Sequence, residues 1–348
     1  MSAAGAARRV AWLAPGLLLF ILALELLKKG AGGVAPLLRG LDVSGLSGAL
    51  GFGWVMACIV LSGSPVAAIA LALLAARTLS TEEAFGMIGG SRLGASFVVL
   101  VIGMLDDLRH HRTEKRSAYI GVAALVTTAV VYVPAMALGL AALRTGAFEG
   151  MRLEGRQLGS IVGSVYGPLT AWLARHLPAA LLFLAGIGVL LAAFRLIDRV
   201  LPDLQGRESP MSLAGRVAYQ PWFMFAVGLG VTAITLSVSV SLSLLVPLAA
   251  RGYVRRENVV PYILGANITT FIDTLFAGAL VGHPDAVRIV AVLMATVAAL
   301  SLPLVFVFPY SFERLVDHAA RAATRSGSAV TVFVAGLLLV PILLMALS

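Results

Sequence analysis

Polar side chains interrupt an apolar stretch in the second half of the chain, residues 259–282, VVPYILGANITTFIDTLFAGALVG. They include an amide, two hydroxyls and a carboxylate, from Asn267, Thr269, Thr270 and Asp273. Such groups are costly in hydrocarbon unless they face a site, and an ionisable Asp in this setting is by default a functional hypothesis. Oxygen atoms of these kinds bind hard cations. The stretch is therefore a candidate cation site.

A second group of side chains could bind an anion. Pairs of serines interrupt apolar runs at Ser62 and Ser64, and again at Ser237 and Ser239. Their hydroxyls, and the backbone N–H groups that a helix break leaves unpaired, are donors for an oxyanion, and helix N-termini favour negative charge. Arg92 lies inside another apolar run, where a charge is costly, and its planar guanidinium can hold an oxyanion by two hydrogen bonds.

The composition places these groups in a membrane protein. The chain has 348 residues, of which 59% are hydrophobic and only 12% charged, and its mean hydropathy is +0.97. An ordinary soluble domain has about 25% charged residues. Apolar runs close to the roughly 20 residues that span a bilayer recur along the whole length. We therefore predict an all-α polytopic protein of the cell membrane, with several passes through the lipid bilayer.

The charge pattern and the motifs exclude other classes of function. The net charge is +9, but the 26 Lys and Arg residues are spread through short connections between apolar runs. This is typical of the positive-inside pattern and of attraction to anionic lipid headgroups, so no nucleic-acid partner is expected. The sequence has no paired-carboxylate, HExxH or nucleophile-elbow pattern, so an enzyme is not predicted. No cofactor is expected either.

The polar interruptions recur at a fixed distance. Sliding the chain against itself by 175 residues places Leu61-Ser62-Gly63-Ser64 on Leu236-Ser237-Val238-Ser239. The same shift places Glu82 on Glu257, Gly90 on Gly265 and Arg92 on Asn267. Each copy then contains a Ser-x-Ser break, a short apolar piece, an acidic turn, a second apolar piece and a break centred on the glycine. Paired breaks in corresponding halves are typical of a transporter built from two repeats.

These motifs resemble those of the sodium-phosphate cotransporter family, whose two repeats each carry a QSSS motif and a downstream GANIGTT-like motif. The most specific piece is residues 261–268, PYILGANI. The chain also departs from the family pattern. Leu61 and Leu236 stand where the family has Gln, and Arg92 stands at the Asn position of the first copy.

The resemblance implies a fold and an activity. The fold would contain two inverted repeats, each with a broken or re-entrant helical hairpin, and the two hairpins would meet near the middle of the membrane. The protein would move inorganic phosphate or a similar small oxyanion, with sodium as the coupling ion. The expected substrate-binding residues are Ser62, Ser64, Arg92, Ser237, Ser239 and Asn267. The expected cation-binding residues are Asn267, Thr269, Thr270 and Asp273.

The predicted organisation has four parts. Residues 1–105 form the first repeat, with a re-entrant hairpin at about 45–105. Residues 106–177 form a connecting loop and transmembrane helices. The second repeat covers residues 178–282, with its hairpin at about 221–282, and further transmembrane helices follow at residues 283–348. A second copy of the chain, in a homodimer, is a candidate partner.

Two questions stay open at this stage. Asp273 could bind a cation or a proton, and Arg92 could replace one cation or contact the anion. Alternatively, the two form a buried structural ion pair, or Arg92 lies at shallow depth and extends its charge to the membrane surface. The alternatives to a sodium-coupled symporter are a proton-coupled or uncoupled exporter of another anionic substrate on the same fold, and a non-transporting membrane sensor or partner subunit.

Overall fold

The structure, a computed structural model, describes residues 3–109, 116–146, 148–149, 155–200, 220–250, 254 and 256–348. Within these ranges the chain forms sixteen α-helices, one 3-10 turn at Ala31–Gly33 and no strand. In chain order the helices are α1 (Ala3–Gly30), α2 (Ala35–Gly40), α3 (Gly45–Val60), α4 (Gly63–Ala75), α5 (Thr81–Ala95), α6 (Phe97–Arg109), α7 (Arg116–Arg144), α8 (Gly155–His176), α9 (Ala179–Val200), α10 (Pro221–Thr235), α11 (Val238–Ala250), α12 (Arg256–Thr269), α13 (Ile272–Val281), α14 (Pro284–Phe306), α15 (Pro309–Thr324) and α16 (Gly327–Ala346).

Six helical stretches in the described residues are long and apolar enough to cross a membrane. They are α5 with α6, α7, α9, α12 with α13, α14 and α16, and each has between 19 and 28 residues. At about 1.5 Å per residue, the shortest reaches nearly the ~30 Å of a hydrocarbon core. The apolar helices α3, α4 and α10 are shorter. The prediction of an all-α, multi-pass membrane protein is confirmed at this level.

Helix boundaries recur at the distance found in the sequence. The first residues of α4 and α11, of α5 and α12, and of α6 and α13 are each 175 positions apart. The break before α4 has Leu61 in the left-handed conformation, at φ 56°, and the break before α11 has Leu236 in the same conformation, at φ 51°. The predicted Ser-x-Ser breaks therefore lie where α3 and α10 end.

The predicted breaks at Gly90 and Gly265 lie elsewhere. Both glycines are inside helices, α5 and α12, which continue to Ala95 and Thr269. A Cβ atom at Gly90 would lie 2.0 Å from the carbonyl oxygen of Leu50, and one at Gly265 would lie 2.1 Å from that of Phe225. The two glycines thus serve close packing of α5 on α3 and of α12 on α10, as small residues do in membrane bundles.

The true breaks in these segments meet at the middle of α7, a helix of 29 residues. Ser96 separates α5 from α6, and its hydroxyl donates a hydrogen bond of 3.1 Å to Oγ1 of Thr128. Asn267, in the last turn of α12, donates from Nδ2 to the same oxygen at 3.2 Å. Thr128 therefore connects both segments near the centre of the bundle.

The starts of α5 and α12 lie at opposite ends of α7. Near the end of α7, Arg144 forms an ion pair with Glu82 in the first turn of α5, with 2.9 Å between Nε and Oε1. Near the start of α7, the ring of Tyr119 lies 5.1 Å from the guanidinium carbon of Arg256, the first residue of α12. The two helices therefore run toward the middle of α7 from opposite directions.

Candidate functional site

Two helix ends bring opposite charges together at the centre of the bundle. Arg92 lies in the last turn of α5, and Asp273 lies in the first turn of α13. The C-terminal end of a helix favours a cation and the N-terminal end favours an anion. Each charge is therefore stabilised by the end of its own helix, in addition to the contact between the two side chains.

The guanidinium of Arg92 is held by three side chains of the second copy. Nη1 donates to Oγ1 of Thr270 at 3.1 Å, and Nη2 lies 3.5 Å from Oδ1 of Asp273 and also donates to Oγ1 of Thr274. The ring of Phe271 lies 5.0 Å from the guanidinium carbon. Only 1% of the Arg92 side chain is exposed. Hydroxyl and carboxylate oxygens thus surround the positive guanidinium of Arg92, which is part of the protein and not a bound ion.

The carboxylate of Asp273 is only half satisfied. Its Oδ1 accepts from Arg92 and, at 2.8 Å, from Oγ1 of Thr274. Its Oδ2 is buried and has no hydrogen-bond partner in the described part of the chain. Only 7% of the whole side chain is exposed. Buried polar atoms are normally paired, so this oxygen needs an explanation.

A cavity of about 360 Å³ borders Asp273. Its polar lining comes from the two Ser-x-Ser breaks and from Asp273, and includes Ser62, Ser64 and Ser237. The rest of the lining is apolar and comes largely from α1, α9 and α13, through Leu17, Phe20, Phe194, Ile197, Ile272 and Phe276. The polar groups of the cavity therefore come from separate parts of the chain.

Two helix N-termini lie at this cavity. Ser62 directly precedes α4, and Ser237 directly precedes α11. The first N–H groups of a helix have no partner within the helix, and the dipole adds partial positive charge there. Ser237 accepts one such hydrogen bond, from the N–H of Val240 at 3.3 Å. Two helix ends of this kind, with serine hydroxyls beside them, suit an anion.

The structure brings together part of the predicted site. Ser62, Ser64, Ser237 and Asp273 line one cavity. Arg92 and Thr270 lie behind Asp273, in contact with each other. An added cation at the cavity would depend on the serine hydroxyls, because Oδ1 of Asp273 and the hydroxyls of Thr270 and Thr274 already hold the guanidinium of Arg92.

Three predicted residues lie outside the lining of this cavity. The side chain of Asn267 donates to Thr128, and Thr269 donates to the carbonyl oxygen of Leu229 at 3.0 Å. Ser239 is buried within α11, and its hydroxyl has no hydrogen-bond partner among the residues that the structure describes. None of the three is part of the cavity lining.

Sequence reasoning missed the residues that support the site. Besides Thr274 and Thr128, these include Tyr132, whose hydroxyl donates to the carbonyl oxygen of Asn267 at 2.8 Å. The ring of Tyr132 stacks on Phe271 with 5.9 Å between centroids. The available signal was polar residues, Thr128 and Tyr132, inside the otherwise apolar run that forms α7.

Comparisons with protein families, with curated proteins and with solved structures found no match. The relationship to the sodium-phosphate cotransporter family therefore stays a prediction from the motifs.

Proposed function

We propose that the chain is a secondary membrane transporter of inorganic phosphate or a similar small oxyanion. The observation that supports this most is the cavity at which the N-termini of α4 and α11 meet, with Ser62 and Ser237 beside them. In transporters of repeated architecture, half-helix N-termini of this kind face anionic groups near the middle of the membrane. Each repeat would contribute one of the two helix ends.

The proposal includes an inverted relation between the repeats. It is supported by the opposite directions from which α5 and α12 reach α7, marked by the Glu82–Arg144 pair at one end and the Arg256–Tyr119 contact at the other. It is also supported by the two breaks that meet at Thr128. Inverted repeats allow the same central site to open to either side of the membrane.

Coupling to sodium is one form of the proposal, and transport without sodium is the second candidate. The position of Arg92 favours the second. Its guanidinium contacts Thr270 and Asp273, two of the four residues predicted to bind a cation. A permanent positive charge at that place would make an added cation unnecessary there. A proton-coupled or uncoupled exporter of another anion would use the same cavity.

Uptake by the purified protein in proteoliposomes tests these forms. Labelled inorganic phosphate, arsenate or sulfate is supplied under an imposed sodium gradient, an imposed proton gradient or no gradient. Saturable uptake supports the proposal, and its dependence on either gradient identifies the coupling ion. Ser62→Ala and Ser237→Ala should each reduce uptake at low phosphate, while Ser328→Ala, at the exposed start of α16, should not. If neither phosphate nor arsenate nor sulfate moves, the non-transporting sensor or partner subunit becomes the better hypothesis.

A further inference from the structure

The cavity of about 360 Å³ has an apolar lining whose residues contact one another. The ring of Phe20 lies 5.5 Å from that of Phe194, edge to face, and stacks on Phe276 with 6.2 Å between centroids. Leu17 and Ile197 line the same space from the helices that carry Phe20 and Phe194. Three helices, α1, α9 and α13, therefore contribute to one continuous apolar surface.

The polar groups of the cavity come mainly from the two helix breaks. Ser62 and Ser237 precede α4 and α11, whose N-termini favour an anion. Ser64 and Thr235 line the cavity at the same two breaks. Asp273 also lines it, and its Oδ1 already accepts hydrogen bonds within the protein. An anion can thus bind through helix ends and hydroxyls, while α1 and α9 offer it only apolar side chains.

The size and lining of the cavity restrict the ligand further. Inorganic phosphate is a single tetrahedral group, so it would contact only part of this lining. Apolar side chains cannot replace the water that such an ion loses on entry. Pockets that hold small organic molecules have volumes of about 300–1,000 Å³ and mostly hydrophobic and aromatic linings with a few polar groups. The cavity has both properties.

We propose that the cavity binds an amphipathic organic anion, with an oxyanion head at the N-termini of α4 and α11 and an apolar chain or ring against Phe20, Phe194 and Phe276. This inference rests on the proposed function, because it uses the same two helix ends for the oxyanion. Two sources share this chemistry. One is a soluble organic phosphate monoester or phosphonate, and the other is a membrane lipid with a phosphate headgroup.

Isothermal titration calorimetry on the full chain in detergent tests the inference, with inorganic, methyl, butyl and phenyl phosphate as ligands. Each methylene that leaves water should raise the affinity about three- to fourfold. Butyl phosphate should therefore bind at least about tenfold more tightly than methyl phosphate. Butanol and phenol carry the apolar group without the oxyanion and should bind much more weakly than the esters. Titration into detergent without protein corrects for partition into micelles.

A matched pair of variants locates the apolar group. Leu17→Trp places a larger side chain in the cavity lining, so it should reduce the ratio of butyl to methyl phosphate affinity at least about fivefold. Leu18→Trp is the control, because Leu18 is the next residue of α1, is 55% exposed and is not part of the lining. It should leave the ratio unchanged.

The possible outcomes separate the inference from the proposed function. Equal affinities for methyl, butyl and phenyl phosphate would overturn the inference alone. So would a butyl preference that Leu17→Trp leaves intact, and if this variant does not fold, the ratio in the unmodified protein decides. Binding of butyl and phenyl phosphate without binding or uptake of any inorganic oxyanion would support the inference and overturn the proposed function. Absence of binding by every anion would overturn both.

A last measurement distinguishes the two sources of the ligand. Phosphatidic acid is added in mixed micelles to the protein with bound butyl phosphate. Displacement would support the inference with a lipid as the ligand. Retention of butyl phosphate would support it with a soluble ester.

Discussion

Nη2 of Arg92 lies 3.5 Å from Oδ1 of Asp273, and both side chains are almost completely buried. Arg92 belongs to α5 and Asp273 to α13, so this ion pair joins the first copy of the repeated unit to the second. Two charges in such a place are tolerated because each compensates the other. Removal of one leaves an uncompensated charge, which is far more costly than removal of both.

A double-mutant cycle on this pair should be strongly non-additive. We expect Arg92→Met and Asp273→Asn each to destabilise the protein by about 3 kcal/mol or more. The double variant should be more stable than either single variant, because no unpaired charge remains. Thermal unfolding in detergent measures all four proteins. A double variant whose loss equals the sum of the single losses would show that the two side chains act independently.

The Ser-x-Ser breaks and the 175-residue repeat could be predicted from the sequence, since Gly63, Pro65 and the serines interrupt apolar runs in one register. The contact between Arg92 and Asp273 was one of the open alternatives. The position of the second pair of breaks could not be predicted. A glycine in an apolar helix fits a break and a close helix contact equally well, and only the partner helix decides between them. At Gly90 and Gly265 that partner is a carbonyl oxygen more than 35 residues away in the sequence.

The partners of α7 could not be predicted either. Thr128 and Tyr132 mark its apolar run as unusual, but Thr128 bonds to side chains 32 and 139 positions away, and only the fold brings these together. The amphipathic helix α15 was missed as well, although Phe312, Val316 and Ala320 are buried at a spacing of four residues. The many basic residues nearby conceal that apolar stripe.

Thr128 and its neighbour Thr127 offer a matched test of the central hydrogen bonds. Thr128→Val removes the oxygen that accepts from Ser96 and Asn267 and leaves two buried donors unpaired, which should cost about 1–3 kcal/mol. The buried hydroxyl of Thr127 has no partner in the described structure, so Thr127→Val should be neutral or stabilising. Melting temperatures in detergent provide the comparison. Equal effects of the two substitutions would contradict the assigned contacts.

Gly265 and Gly230 should respond in opposite directions to alanine. A Cβ atom at Gly265 would meet the carbonyl oxygen of Phe225 at 2.1 Å, so Gly265→Ala must separate α12 from α10, at a cost of about 1–3 kcal/mol. Gly230 is exposed in α10, and no atom lies within 4 Å of the position that a Cβ atom would take there. Gly230→Ala should therefore stabilise the protein by up to about 1 kcal/mol, because alanine favours the helix. Thermal unfolding decides the sign of each change, and a loss at Gly230 similar to that at Gly265 would contradict the packing argument.

His283 should make stability depend on pH. Its Nδ1 accepts from the N–H of Asp285 at 3.2 Å and caps α14, which requires the neutral ring. Burial lowers the pKa of His283 below its ordinary value, and Arg77 lowers it further against the opposing effect of Asp285. The contribution to stability is therefore complete above about pH 6.5, the ordinary value, and is lost as the pH falls through the lower value of the folded protein.

Melting temperatures of the unmodified protein and His283→Asn, measured between about pH 7 and about pH 5, test this dependence. Asparagine can cap the helix without titrating, so the variant should lose less stability on acidification. Parallel losses in the two proteins would show that other groups cause the acid sensitivity.

The proposed inverted relation of the repeats predicts that equivalent residues are accessible from opposite sides of the membrane. Glu82 and Glu257 are 175 positions apart and lie in the first turns of α5 and α12, where neither side chain is buried.

With the lone cysteine removed by Cys58→Ala, single Glu82→Cys and Glu257→Cys variants can be labelled in sealed vesicles with a membrane-impermeant maleimide. One variant should react directly and the other only after permeabilisation. Glu149→Cys should behave like Glu82→Cys, because Glu149 lies close to the end of α7 that binds Glu82. Labelling of Glu82→Cys and Glu257→Cys from the same side would exclude an inverted repeat, whatever the protein transports.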